Sequence, residues 1–290
     1  MDKELPMNTQ KYLVNKKIEL QDFSTHCEED LKREDVEKHL MPKNLKLMAK
    51  FQDKLYAEGK HGLLIVIQAM DTAGKDGLVR HVMTTFNPQG VYVAPFKVPS
   101  STELSHDYLW RIHQVAPARG GITIFNRSHY EDVIVTRVHN LVEKQNLPDR
   151  MKTKEVWDER YEQIRAYEKY LHQNGIEVLK FFLHLSKEEQ KERLLSRIDE
   201  PKKNWKFSSA DIAERGYWDD YQKAYEKAIN ETSTKDSPWY IIPADQKWFS
   251  RYLVSEIIVE KFAELNPQFP ILPAEEAAKL QEWKQKLLSE

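Results

Sequence analysis

The stretch "GLLIVIQAMDTAGKDG", residues 62–77, decides how the rest of the chain is read. An apolar run over 63–69 passes within a few residues to Gly74 and Lys75, and the chain continues as the helix-patterned "KDGLVRHVMTTF". A buried strand, a glycine turn and a lysine at a helix start are the parts of a phosphate-binding loop, where backbone amides and the helix dipole meet anionic oxygens. The standard pattern G-x-x-x-x-G-K-[ST] is broken twice, because Ala69 stands at the first glycine and Asp76 at the hydroxyl position. The competing reading is a plain strand-to-helix turn with Lys75 as a surface charge.

Asp71 and Asp76 place two carboxylates beside that lysine. Carboxylates repel phosphate unless a hard cation lies between them, and Mg²⁺ takes oxygen ligands while leaving positions for substrate phosphates. The charge pattern therefore predicts a metal, Mg²⁺ with Mn²⁺ as an alternative. Asp71, inside the loop, is the stronger ligand candidate. Asp76 reads equally well as a solvated first-turn carboxylate that favours the helix dipole.

Outward from this loop, four more short apolar runs follow at 91–96, 122–125, 177–185 and 239–242, separated by helix-patterned segments. Alternating strand and helix predicts an α/β fold, a five-stranded parallel sheet flanked by helices, with ligands at the carboxyl ends of the strands. Ser100-x-x-Glu103, Ser128-x-x-Glu131, Ser186-x-x-Glu189 and Ser208-x-x-Asp211 have capping-box spacing and mark helix starts. Residues 1–59 read as a helical N-terminal extension, with Leu45, Met48, Phe51 and Leu55 at helical spacing. Residues 60–262 form the main domain, including a lid at about 187–230, and 263–290 form an amphipathic helical tail expected to dock or to build an oligomer.

Composition narrows the class. The 290 residues are 40% hydrophobic, enough for a sizeable core, and 44 basic against 46 acidic residues leave a net charge of −2. Nothing in that balance draws the chain to nucleic acid or to a membrane surface, so any anion site must be local. Its one cysteine, Cys27, excludes an internal disulfide framework. The start "MDKELPMNTQKY" lacks the apolar core of a secretory leader, and no apolar run is long enough to span a bilayer, which predicts a cytoplasmic protein.

The run "GITIFNRSHYEDV" ends a strand at Asn126-Arg127. Phosphate-loop enzymes usually hold their metal with a carboxylate at such a strand end, and here Asn126 occupies it. Glu131 restores the charge on one reading and completes a capping box on the other. Arg127 suits fork-like recognition of phosphate oxygens. Arg80, Lys97, Arg111, Arg137 and Arg197 recur where strand ends and helix starts converge, suggesting an electropositive channel suited to a long polyanion. The segment "SKEEQKERLLSRIDEPKKNWKFSSADIAERGYWDDY" reads as a capped helix with Arg193 and Arg197, a basic hinge with Lys202, Lys203 and Lys206, and a second capped helix. That is the outline of a lid closing over phosphates, with Trp205 and Trp218 expected in its core.

Together "AMDTAGKDG", "FNRSHYEDV" followed by "RVH", and "PKKNWKFSSAD" resemble the polyphosphate kinase 2 family, in particular its class III members, over roughly residues 60–250. The two departures from the standard loop are that family's own pattern. The resemblance implies a thymidylate-kinase-like phosphate-loop fold, often tetrameric. It also implies Mg²⁺-dependent, reversible phosphoryl transfer between inorganic polyphosphate and nucleotides. Asp71 and Lys75 then belong to the loop, Asn126 and Arg127 to the second motif, and Arg197 with Lys206 to the lid. Asn126 with Glu131 nearby looks like the subgroup accepting nucleoside monophosphates as well as diphosphates.

The expected catalytic set is Asp71, Lys75, Arg127 and Arg197, with Asp71 and Glu131 on the metal. Phosphate contacts are expected from Ala73, Gly74, Lys75, Asp76, Gly77, Arg80, Arg137, Lys203 and Lys206. Nucleotide contacts are expected from Lys97, Asp107, Arg111, Asn126 and Glu131. Two other functions fit parts of the pattern. An ATP-dependent nucleoside or small-molecule kinase shares the loop but leaves the extended basic run unexplained, and a non-catalytic sensor would bind without turnover.

Overall fold

Five parallel strands form where the apolar runs predict them: β2 Gly62–Ala69, β3 Val91–Pro95, β4 Ile122–Asn126, β5 Ile176–His184 and β6 Trp239–Pro243. They belong to a computed structural model that describes residues 7–290. Residues 1–6, the first half of the N-terminal stretch read for a leader, lie outside the described residues.

The phosphate-loop strand β2 sits at the centre, hydrogen-bonded to β4 on one side and β5 on the other, and every one of its residues is buried. Its period of two feeds two separate core layers. Leu63, Ile65 and Ile67 pack with the helices Met41–Glu58 and Lys247–Leu265. Leu64 and Val66 pack with Val156–Gln173 and Trp218–Thr232 on the other face. A strand covered on both sides reads as a continuous apolar run, which is why this segment was legible.

A sixth strand corrects the expected count. The N-terminal extension, expected to be helical, contributes β1 Leu13–Val14, which pairs antiparallel with β6 through Leu13↔Tyr240 and gives the order β1-β6-β5-β2-β4-β3. Two residues carry no readable alternation, so only tertiary pairing reveals the strand. The helix Met41–Glu58 buries Met48 and Leu55 as its spacing predicts and stops at Gly59, whose φ of 63° suits the left-handed C-cap.

Of the expected capping boxes, only Ser100 with Glu103 makes both hydrogen bonds. Ser128, Ser186 and Ser208 each cap a helical turn, but Glu131, Glu189 and Asp211 turn away to Arg127, Arg193 and Arg197. The sequence spacing is the same in all four. Three of the acids have an arginine at hydrogen-bonding distance, whereas Arg111 comes only to 3.8 Å from Glu103, and a charge-assisted pair at close range outcompetes a bond to a backbone amide.

No helix among the described residues is long and apolar enough to cross a membrane. The tail helix Ala274–Leu288 is exposed along its whole length, so the docking expected of it does not occur on its own chain.

Candidate active site

The loop between β2 and the helix Lys75–Val82 turns through Thr72 at φ 66° and Gly74 at φ 107°. Gly74 adopts this conformation without a Cβ penalty, whereas Thr72 is β-branched and strained there. Strain of this kind persists only where surrounding contacts over-determine the backbone. Thr72 Oγ1 is buried and has no hydrogen-bond partner within the protein.

Arg193 supplies much of that determination. Its Nη1 donates to the carbonyls of Thr72 and Ala73, both at 3.0 Å, and its Nη2 to those of Ala244 at 2.7 Å and Asp245 at 2.9 Å beyond β6. Glu189 accepts from Nε at 2.7 Å, and Gln190 Nε2 donates to the Asp71 carbonyl at 3.1 Å. The helix Lys187–Asp199 therefore clamps the phosphate loop before it leads into the segment expected to form a lid. Sequence reasoning placed Arg193 only in a basic lid helix, because nothing local reveals that its guanidinium meets four distant carbonyls.

Lys75 is 8% exposed, which removes the surface-charge reading. Its Nζ donates to the carbonyls of Ala69 at 2.8 Å and Met70 at 3.2 Å. Burial, and after it the charge of Arg127, lower its pKa to about 8, against a smaller opposing pull from Asp71, Glu131 and Asp76. The lysine is thus a desolvated cation folded back on weak acceptors.

Arg127 stands at the end of β4 at φ 65°, a second strained position. Its Nη2 donates to Asp71 Oδ1 at 2.7 Å and its Nη1 to Glu131 Oε2 at 3.2 Å. Burial opposes the guanidinium charge, but Glu131 and then Asp71 more than offset it and raise the pKa. The two carboxylates expected at a metal are therefore gathered on one arginine. Asn126 Nδ2 donates to Asp76 Oδ1 at 2.7 Å, tying the end of β4 to the first turn of the loop helix. Asp76 has this partner as well as its place near the dipole.

In the expected lid, Arg197 Nη1 donates to Asp211 Oδ2 at 2.7 Å and to the Lys206 carbonyl at 3.2 Å. Burial and then the nearby Asp71 charge raise the pKa of Asp211, which brings the lid acid into the electrostatic range of the loop. Lys203 is spent on Glu200 at 2.5 Å and Ser196 at 2.7 Å. Trp205 corrects an expectation: it is 78% exposed rather than core, with the Lys206 ammonium 5.0 Å above its ring, whereas Trp218 is buried. The tryptophan sits in the 3₁₀ helix Pro201–Lys206, none of whose residues is buried.

Other expected residues lie further out. Arg80 is exposed. Gly77 faces a basic residue that the sequence did not single out, since a Cβ there would lie 3.5 Å from Arg251 Nη2. Arg137 donates to the Tyr161 hydroxyl at 3.1 Å and packs over Trp157. Arg111 is buried over Phe96 and donates to the Lys97 carbonyl at 3.0 Å, leaving the Lys97 side chain in solvent. Asp107 accepts from the Leu109 amide at 3.0 Å.

Among the described residues, no group of three or more His, Cys, Asp or Glu side chains forms a closed metal cage. That donor set still fits Mg²⁺, which is commonly held by one or two carboxylates and completed by phosphate oxygens and water. Asp71 and Glu131 share one guanidinium and supply hard oxygen donors. Displacing Arg127 toward a phosphate would free both.

Comparison with known proteins agrees with this geometry. A family model described as "Polyphosphate kinase 2 (PPK2)" matches residues 30–270. The chain is 45% identical over 274 residues to an ADP-polyphosphate phosphotransferase of Rhodopseudomonas palustris, covering 94% of this chain and 95% of that protein. It is 52% identical over 223 residues to an AMP/ADP-polyphosphate phosphotransferase of Meiothermus ruber, covering 77% and 80%. The crystal structure of polyphosphate kinase 2 from Arthrobacter aurescens superposes with a TM-score of 0.86 at 37% identity, over 96% of this chain and 98% of that one.

Proposed function

The chain belongs to the polyphosphate kinase 2 family, and on that premise we infer that it is a phosphotransferase moving the terminal phosphoryl group of inorganic polyphosphate onto a nucleotide, and back. The observation that carries this reading is Arg127, held between Asp71 and Glu131 beside a strained phosphate loop. Relatives named for ADP and for AMP/ADP support both nucleoside diphosphates and monophosphates as acceptors.

The attacking atom is a nucleotide phosphate oxygen that is already anionic, so no general base is required. What remains for the protein is positioning and neutralisation of charge on the transferred group. Lys75 would leave the carbonyls of Ala69 and Met70 for a phosphate oxygen, a far stronger acceptor for a desolvated cation. Arg127 would exchange carboxylates for phosphate. Amides at the start of the helix Lys75–Val82 would cradle the oxygens next to the reacting bond. Asp71, with Glu131, would hold Mg²⁺, which when bound supplies further neutralisation of phosphate charge. Arg197 and Lys206 would approach from a lid at about 187–230 and help to exclude water.

A cytoplasmic, homo-oligomeric protein completes the reading, and sedimentation of the purified chain tests the oligomer. Incubation of the chain with Mg²⁺, polyphosphate and either AMP or ADP, with chromatography of the products, tests the activity. Formation of ADP or ATP from polyphosphate is expected. Turnover with ATP but none with polyphosphate would favour the small-molecule kinase, and tight binding without turnover would favour the sensor.

A further inference from the structure

Lys180 lies in the middle of β5, beside Val66 of β2 and Trp239 of β6, and is fully buried together with its partner Glu168 on the helix Val156–Gln173. Its Nζ donates to Glu168 Oε2 at 2.6 Å, to the Thr232 carbonyl at 2.8 Å and to the Tyr130 hydroxyl at 3.1 Å. Tyr130 in turn donates to Glu168 Oε1 at 2.8 Å, and His129 Nε2 stands 3.5 Å from the same oxygen. Exchanging a buried ion pair for well-packed apolar residues is often neutral or stabilising. Stability alone therefore does not call for a lysine and a glutamate here, and what such a pair supplies is direction.

The direction is given to the turn His129–Asp132 that follows β4. Arg127 and Glu131, the two residues of this segment that serve the candidate site, bracket three that are wholly buried, Ser128, His129 and Tyr130. Up to Arg127 the sheet holds the backbone, since β4 ends at Asn126 and the Arg127 amide still donates to the Ile67 carbonyl of β2 at 3.2 Å. Beyond it, buried side chains take over. Ser128 Oγ accepts from Gln68 Nε2 at 3.0 Å, and the Tyr130 hydroxyl is bound by Lys180 and Glu168, with Thr232 Oγ1 2.9 Å away. Arg127 keeps its φ of 65° between these anchors, and such strain persists only where the surroundings over-determine the backbone. An aromatic ring in an apolar pocket can slide along its own plane, whereas a hydroxyl bound directionally to two opposite charges cannot.

We propose that Tyr130, with the buried pair of Lys180 and Glu168 behind it, is a positioning unit that fixes the depth of the turn and so the place of the Arg127 guanidinium and the Glu131 carboxylate relative to Asp71. Being fully buried, the three residues act through Arg127 and Glu131 and not on the substrate. The proposal rests on the reading of the chain as a polyphosphate:nucleotide phosphotransferase, and it extends that site into the core by three residues that the sequence did not single out.

Tyr130→Phe removes a single oxygen and leaves the ring in place. It should lower kcat about tenfold with AMP and with ADP, since a misplacement below about 1 Å is enough for that. The KM for acceptor and for polyphosphate should stay within about twofold, as for an interaction felt only in the transition state, and the melting temperature within a few degrees. A residue that only fills the core would lower the melting temperature and leave kcat of the folded protein unchanged, and that result overturns the proposal. A rise in KM with kcat unchanged overturns it too. The double variant Lys180→Met with Glu168→Leu removes both charges together. It should keep or raise the melting temperature and lower kcat in the same way without moving either KM. Full kcat in the folded double variant overturns the assignment equally, and if that variant does not fold, Tyr130→Phe decides alone. Turnover of polyphosphate by the unaltered protein tests the underlying activity separately, so the positioning unit can fail while the function stands.

Discussion

The Arg127 guanidinium donates to Asp71 at 2.7 Å, joining the end of β4 to a loop residue 56 positions away in sequence. The same guanidinium also holds Glu131. In the free protein the arginine expected to meet phosphate and the carboxylates expected to meet metal therefore satisfy one another. Substrate and metal arriving together can replace both halves of that arrangement without leaving a buried charge unpaired.

Asp71→Asn keeps the size of the side chain and removes its charge. Because the pair is partly exposed, the loss of stability should be about 1 kcal/mol or less, while turnover falls and the Mg²⁺ concentration for half-maximal rate rises. Glu131→Gln should behave similarly, since Glu131 does not complete a capping box here. Mg²⁺ titrations of initial rate check both, and an unaltered Mg²⁺ dependence in Glu131→Gln would return that residue to a structural role.

Lys75→Met should lower kcat by on the order of 10²-fold, as for loss of a preorganised cation at the transferred group. It should leave the melting temperature unchanged or higher, because the desolvated ammonium costs stability in the free protein. Paired thermal melts and single-turnover rates test this. A large drop in melting temperature would show that Lys75 supports the loop more than it strains it.

The pKa of Lys75, about 8 in the folded protein against 10.5 for an ordinary lysine, has two consequences of definite sign. Between those values the unfolded chain binds more protons than the native one, so this group makes stability rise with pH across the window, and Lys75→Met abolishes the rise. In catalysis the direction reverses, since the charged form is required. The kcat/KM for polyphosphate should decline above about pH 8, whereas kcat should hold to higher pH because bound phosphate raises the lysine pKa. A kcat/KM that stays level through that range would sink this assignment.

Arg193→Lys keeps the charge but cannot reach the carbonyls of Thr72, Ala73, Ala244 and Asp245 together. Losing such a buried, multiply bonded guanidinium should cost about 3 kcal/mol or more and lower kcat with every donor and acceptor. Denaturant unfolding and rates with AMP and ADP measure both. Full activity with unchanged stability would remove the clamp.

Lys206→Ala should raise KM for long polyphosphate more than KM for ADP, with the donor also the more sensitive to salt. Lys203→Ala should do so less, because Lys203 is already paired with Glu200 and Ser196 whereas Lys206 stands over the exposed Trp205 ring. Equal changes for donor and acceptor in both variants would argue against polyphosphate running along this lid.

What the sequence determined by itself was whatever depends on neighbours in the chain. The buried run before Gly74, the helix start at Lys75 and the serine caps are local, because strand burial, turn conformation and amide capping are settled within a few residues. They made the parallel sheet and the phosphate loop legible, and with them the family. Only the tertiary structure decided which partner each charged side chain took. Glu103 and Glu131 have the same spacing from a serine, yet one closes a capping box and the other turns to Arg127. Arg193 and Arg197 lie one helical turn apart, yet one is sealed against four carbonyls and the other faces Asp211. Long side chains choose the strongest acceptor within reach, and folding, by bringing residues far apart in sequence together, sets what is within reach. β1 was hidden for the same reason, since two residues become a strand only when β6 lies beside them.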